Sequence, residues 1–204
     1  MTAAVKDDDS NRRGAAAMAA KGTLPGDDGL WFFIAAEICL FGLLFGAFLN
    51  ERSGSPDIFR DAQRLMVPAF AFVNTTYLIT SSWLVALGVQ FARGNRTAAA
   101  RRSVTWAMIL GLFFVATKIT EYWYEIGMGA NPGTNPFFMF YFVVTGIHLA
   151  HVLGGLGLLT FVRTKLKDSV APDKRSLWIE SGATFWHMVD LLWLIILALF
   201  YLLP

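Results

Sequence analysis

Five long apolar stretches constrain this chain more than anything else in it. They run over Leu30–Leu49, Val67–Phe91, Ser103–Ile126, Phe137–Val162 and Ser181–Leu203. A hydrocarbon core of ~30 Å is crossed by about 20 helical residues, and each stretch is long enough. Helices of a soluble core need a polar face, which these lack. Strands of a membrane barrel are only ~10 residues long and alternate in polarity. The fold class that remains is all-α, an integral membrane bundle of five transmembrane helices. The charged fraction of 16% agrees, since soluble domains carry nearer a quarter. Residues 1–29, "MTAAVKDDDSNRRGAAAMAAKGTLPGDDG", lack the apolar run of a signal peptide. They are expected to form a disordered polar tail ahead of a membrane domain over 30–204.

Orientation follows from Lys and Arg. The tail, the loop near residues 93–102 and the loop near 163–175 hold 13 of them, and the loop after the first span holds Arg52, Arg60 and Arg64. Lys118 is inside a span. By the positive-inside rule the N-terminus is cytoplasmic and the C-terminus external. A net charge of +2 without a basic stripe offers nothing to nucleic acid. Cys39, the one cysteine, excludes an intramolecular disulfide and a CxxC motif.

Ionisable side chains at membrane depth are the candidate functional groups. At 1.5 Å per residue, Glu37 lies roughly 10 Å from the cytoplasmic end of the first helix. His187 and Asp190 lie at similar depth on the fifth, and His151 is somewhat deeper on the fourth. His148 is near the middle, while Asn74, Lys118 and Glu121 fall in the outer half. His148 and His151, His187 and Asp190, and Lys118 and Glu121 are each i, i+3 pairs on one helix face. Glu37, His148, His151, His187 and Asp190 are read as a polar network able to hold or pass protons, or to act as glue between helices. Lys118 and Glu121 are read as a structural ion pair, and Asn74, Thr75 and Thr76 as contacts between helices. Two facing histidines, His148 or His151 with His187, would suit a b-type haem. Against that, Asp190 neighbours His187 and His148 and His151 share one face, so a plain hydrogen-bond network explains all three, and neither catalytic residue nor metal ligand is assigned. "GLLFG" from Gly42 and "GGLG" from Gly154 are expected at close helix contacts.

These residues carry a resemblance. "FFMFYFVVTGIHLAHVLGG" and "ESGATFWHMVDLLWLIILALFYL" resemble the last two helices of subunit III of haem–copper terminal oxidases, with their TG-x-H-x-x-H-V and W-H-x-V-D-x-x-W patterns. "FFIAAEICLFGLLF" is similar to the family's helix with an embedded glutamate, here Glu37, and "NTTYLITSS" and "KITEYWYE" to the two helices between. Subunit III usually has seven helices, and this chain starts at what would be the third. Lys118 stands where a glutamine is usual. The five-helix form, "PGDDGLW" and "TNPFFMFYF" look closest to the NorE-type branch associated with nitric oxide reductases. The resemblance implies a non-catalytic, multi-pass subunit of a bacterial plasma-membrane respiratory complex. Its partner would be the catalytic haem-bearing subunit of a cytochrome c oxidase or a nitric oxide reductase. Haem and copper would lie in partner subunits, with structural lipid as the ligand left open. A free-standing transporter or proton channel is the alternative from another class, but no internal repeat supports it.

Overall fold

The computed structural model describes residues 28–203, and the tail over residues 1–27 lies outside them. Six α-helices follow in order: α1 (Asp28–Gly54), α2 (Pro56–Arg64), α3 (Pro68–Arg93), α4 (Thr97–Gly127), α5 (Pro136–Lys165) and α6 (Pro172–Leu197). A π-helical turn, Ala198–Leu202, ends the described chain. Five of the helices are long and apolar enough to cross a membrane, at the five expected places.

The helices overrun the apolar stretches because local chemistry, not hydropathy, sets their ends. Proline, whose fixed φ suits the first turn and whose missing N–H costs nothing there, sits at the start of α2, α3, α5 and α6. The Asn135 side chain caps α5 by accepting from the Phe138 N–H at 3.0 Å. Asn95, with φ of 56°, makes the turn between α3 and α4, a conformation that asparagine tolerates. Arg175 donates to its side-chain oxygen at 3.0 Å.

Helix α2 was not anticipated from hydropathy, being polar and only nine residues long. It tucks Phe59 and Ala62 inward, and Phe59 packs edge-on against Phe48 of α1 and Phe137 of α5.

Helices α3 and α4 form the most closely packed pair, and α6 lies against α3 and α5. Trp186 of α6 is fully buried at the centre. A Cβ on Gly155 would come within 2.8 Å of its ring, and one on Gly111 within 3.0 Å, so these glycines admit the indole. The motif expectation holds at Gly155 of "GGLG" but needs correction elsewhere: Gly42, Gly46, Gly154 and Gly157 have nothing within 4 Å of an added Cβ. They lie on outward faces. Helix α1 is peripheral, burying Ile34, Phe41 and Phe48 at seven-residue intervals along one stripe and contacting α5 and α6.

The positive-inside orientation has a direct test. In a Cys39→Ala background, an impermeant maleimide applied to intact cells should label Gly133→Cys but not Ala98→Cys. The reverse pattern would invert the topology.

Candidate functional site

The intramembrane polar groups separate into clusters that sequence spacing had joined. On the side assigned to the cytoplasm, Nε2 of His151 on α5 lies 3.0 Å from Oε2 of Glu37 on α1, although off the line of a good hydrogen bond. Nδ1 of the same ring is 2.8 Å from the Ile147 carbonyl. A carbonyl can only accept, so Nδ1 carries a proton. A neutral ring then presents a bare lone pair at Nε2. A favourable contact with Glu37 therefore needs one more proton, either on the carboxyl group or on the imidazole. The contact joins α1 to α5.

His187 and Asp190 form a second group, between α6 and α3. Nδ1 of His187 is 2.6 Å from the Ser82 hydroxyl. Asp190 is buried, and its carboxylate oxygens have no hydrogen-bond partner among the described residues. No hydrogen bond or ion pair among those described links this group to Glu37 and His151. The single network expected from sequence is thus two sites, each joining a different pair of helices.

His148 belongs to neither. Three residues fall about 60° short of a full helical turn, and that offset aims His148 inward while His151 faces α1. His148 is fully buried, stacks edge-on against Phe114 and tilts over Trp193. Both of its ring nitrogens lack a hydrogen-bond partner among the described residues.

The outer half holds the densest cluster. Nζ of Lys118 donates to Glu121 at 3.0 Å, to the Tyr141 hydroxyl at 2.8 Å and to that of Tyr201 at 3.2 Å. All three ammonium donors are used. Oε1 of Glu121 accepts from Tyr141 at 3.1 Å and from Tyr201 at 2.5 Å. The rings of Tyr122, Tyr141, Trp193 and Tyr201 surround the ammonium at 4.6–5.8 Å, within cation–π range. The π-helical turn carries Tyr201 to Glu121; such turns re-aim a side chain by adding a residue to the helix. Glu125, one turn beyond, is buried with neither carboxylate oxygen hydrogen-bonded among the described residues. Tyr141, Tyr201 and Glu125 were not singled out in the sequence. Tyr141 and Tyr201 stand 20 and 80 residues from Glu121, and no periodicity connects them.

Of the helix-contact residues, Thr75 of α3 accepts from the Trp193 indole at 3.0 Å and so bridges to α6. Thr76 bonds back to its own helix at the Phe72 carbonyl. The Asn74 side chain is buried and makes no hydrogen bond among the described residues. Ser81, unremarked in the sequence, ties three helices: its hydroxyl donates to the Ala107 carbonyl at 2.8 Å and accepts from the Trp186 indole at 3.1 Å. Among the described residues, no three of the His, Cys, Asp and Glu side chains gather as a metal site.

A membrane bundle with an acid–imidazole contact among its buried polar groups is the class of protein that fold and site define. The chain belongs to the cytochrome c oxidase subunit III family, whose model matches residues 8–203. Quinol oxidase subunit 3 of Bacillus spizizenii is 30% identical over 183 residues, covering 85% of this chain and 85% of the relative. Cytochrome c oxidase subunit 3 of Synechocystis is 30% identical over 184 residues, covering 86% of this chain and 74% of the relative. That of Alkalihalophilus pseudofirmus is 29% identical over 176 residues, covering 85% and 84%.

Proposed function

We propose that this chain is the accessory, non-redox subunit of a haem–copper oxidase in a bacterial plasma membrane. It stabilises the haem-bearing catalytic subunit and helps supply protons to it from the cytoplasmic side. The observation carrying the second role is the 3.0 Å approach of Glu37 and His151, with Nδ1 committed to a carbonyl. One proton satisfies that pair, and gain or loss of it changes the charge of a site two helices share. The relatives' names include both quinol and cytochrome c oxidases, so either reductant is a candidate donor of electrons to the complex. A second reading rests on the sequence form, five spans with "PGDDGLW" and "TNPFFMFYF". It is an accessory protein of a nitric oxide reductase, of the NorE type.

Affinity purification of the tagged full chain from its native membranes tests these readings together. The expected eluate contains a haem-bearing subunit and consumes oxygen on addition of reduced cytochrome c or a quinol. Nitric oxide consumption without oxygen consumption would select the second reading. A colourless homo-oligomer would overturn both.

A further inference from the structure

We propose that the cleft between α3 and α6 seats a transmembrane helix of the haem-bearing partner, which donates a hydrogen bond to Asp190. This rests on the subunit reading above and adds to it a face and a recognition chemistry.

The cleft has a volume of about 350 Å³. Leu78 and Asp190 are buried and Ser82 and Ala86 half-buried, so these four form its floor; Ile79, Trp83, Leu191 and Leu194 are exposed and form its rims. Ser82 and Ala86 are one helical turn apart on α3, and small residues in a row let a second helix approach closely. Small residues alone would not identify an occupant, but Asp190 does. Its side chain lies in the cleft, 92% buried by its 8% relative exposure, and neither oxygen accepts a hydrogen bond. The nearby Ser82 hydroxyl is engaged by His187 at 2.6 Å. At membrane depth a carboxyl group without a partner is costly. A donor on a neighbouring chain would satisfy it.

Depth decides between a lipid and a protein. Along the helix Asp190 is about 27 Å from Pro172 and about 18 Å from Leu202 at 1.5 Å per residue. Phospholipid acyl chains at that level carry no N–H or O–H, and a headgroup phosphate would be repelled by a carboxylate. A transmembrane helix can place a hydroxyl, amide, indole or cationic group there while its apolar neighbours rest on the rims. The groove between α1 and α6 offers the contrast: about 530 Å³ and lined almost wholly by apolar side chains such as Trp31, Ile34 and Ile38, it makes no such demand for a donor.

The test places a photoreactive benzophenone amino acid at Leu194 in the tagged full chain, irradiated in native membranes. The expected adduct contains the haem-bearing subunit, attached within one of its membrane helices. Asp190→Leu should lower adduct yield about tenfold, the step given by losing one hydrogen bond to a charged group. Asp190→Asn, whose amide oxygen still accepts, should keep most of it. Ala86→Trp, which fills the cleft and leaves Asp190 in place, should abolish it. Adducts with lipid or with a second copy of this chain would overturn the proposal, as would a yield indifferent to both Asp190 and Ala86. Haem is measured in the same eluate. If it co-purifies but Leu194 does not reach its subunit, this seat is wrong and the subunit reading stands; without haem, both fall.

Discussion

Lys118→Met should sharply reduce the amount of subunit recovered from membranes and lower the thermal midpoint of what remains. The change removes an ammonium 1% exposed to solvent whose donors are all committed. It leaves the Glu121 carboxylate, equally buried, with two tyrosine hydroxyls and no cation. Breaking a buried ion pair from one side costs about 3–5 kcal/mol, a large share of a protein's net stability. The double change Lys118→Met, Glu121→Gln should recover much of that loss. The glutamine oxygen can still accept from Tyr141 and Tyr201, and no net charge remains unpaired between those two positions. Recovery in the double variant measures the coupling of the pair. If the double variant is no better than the single, Glu121 is not the partner that matters. Glu125 would then be the first alternative, since it too is buried on the same helix.

Glu37→Gln should leave the haem spectrum of the assembled complex unchanged and slow its turnover most at high pH. The variant keeps size and polarity. Its amide N–H can donate to Nε2 of His151, so the contact survives without an exchangeable carboxyl proton. On the proposed role in proton supply, the pair contributes most when protons are scarce on the supplying side, hence the sign of the pH dependence. His151→Gln should give the same profile, since either half is needed to hold the proton. Leu40→Ala, an exposed apolar position on the same helix, should not. Steady-state rates from pH 6 to 9, corrected for assembled haem, are the measurement. Parallel profiles for wild type and Glu37→Gln would reduce the pair to a contact between helices. Asp190→Asn is expected to follow a different pattern, because Asp190 and His151 share no contact among those described and lie against different helices.

Which helices exist was legible from one physical fact: lipid offers no partner for a backbone amide, so each crossing must be a continuous apolar helix. That rule is local to the chain, and all five spans follow from it. Helix α2 escaped because it is too short and polar for that rule to reach it; its inward Phe59 gains its meaning from Phe48 and Phe137, supplied by other helices. The "GLLFG" motif misled for a related reason. Gly42 and Gly46 repeat at the spacing of a close contact, but α1 turns its Phe41 stripe inward and leaves both glycines outside.

The sequence by itself determined the five long apolar helices and the pairing of Lys118 with Glu121 one turn away. Each of these depends on residues near one another in the chain, where 1.5 Å and 100° per residue fix geometry. Tertiary structure alone decided who meets whom across helices. It put His151 against Glu37, His187 against Ser82, His148 among aromatic rings, and Tyr141 and Tyr201 onto Glu121. It also left Asp190 in an open cleft without a donor. Neighbouring positions such as His148 and His151 diverge because a small rotation of a helix about its axis moves a side chain from one interface to the next. That rotation is fixed by the packing of large rings, Trp186 against Gly155 and Gly111 above all, and the pattern of apolar residues in these nearly uniform spans is too even to specify it.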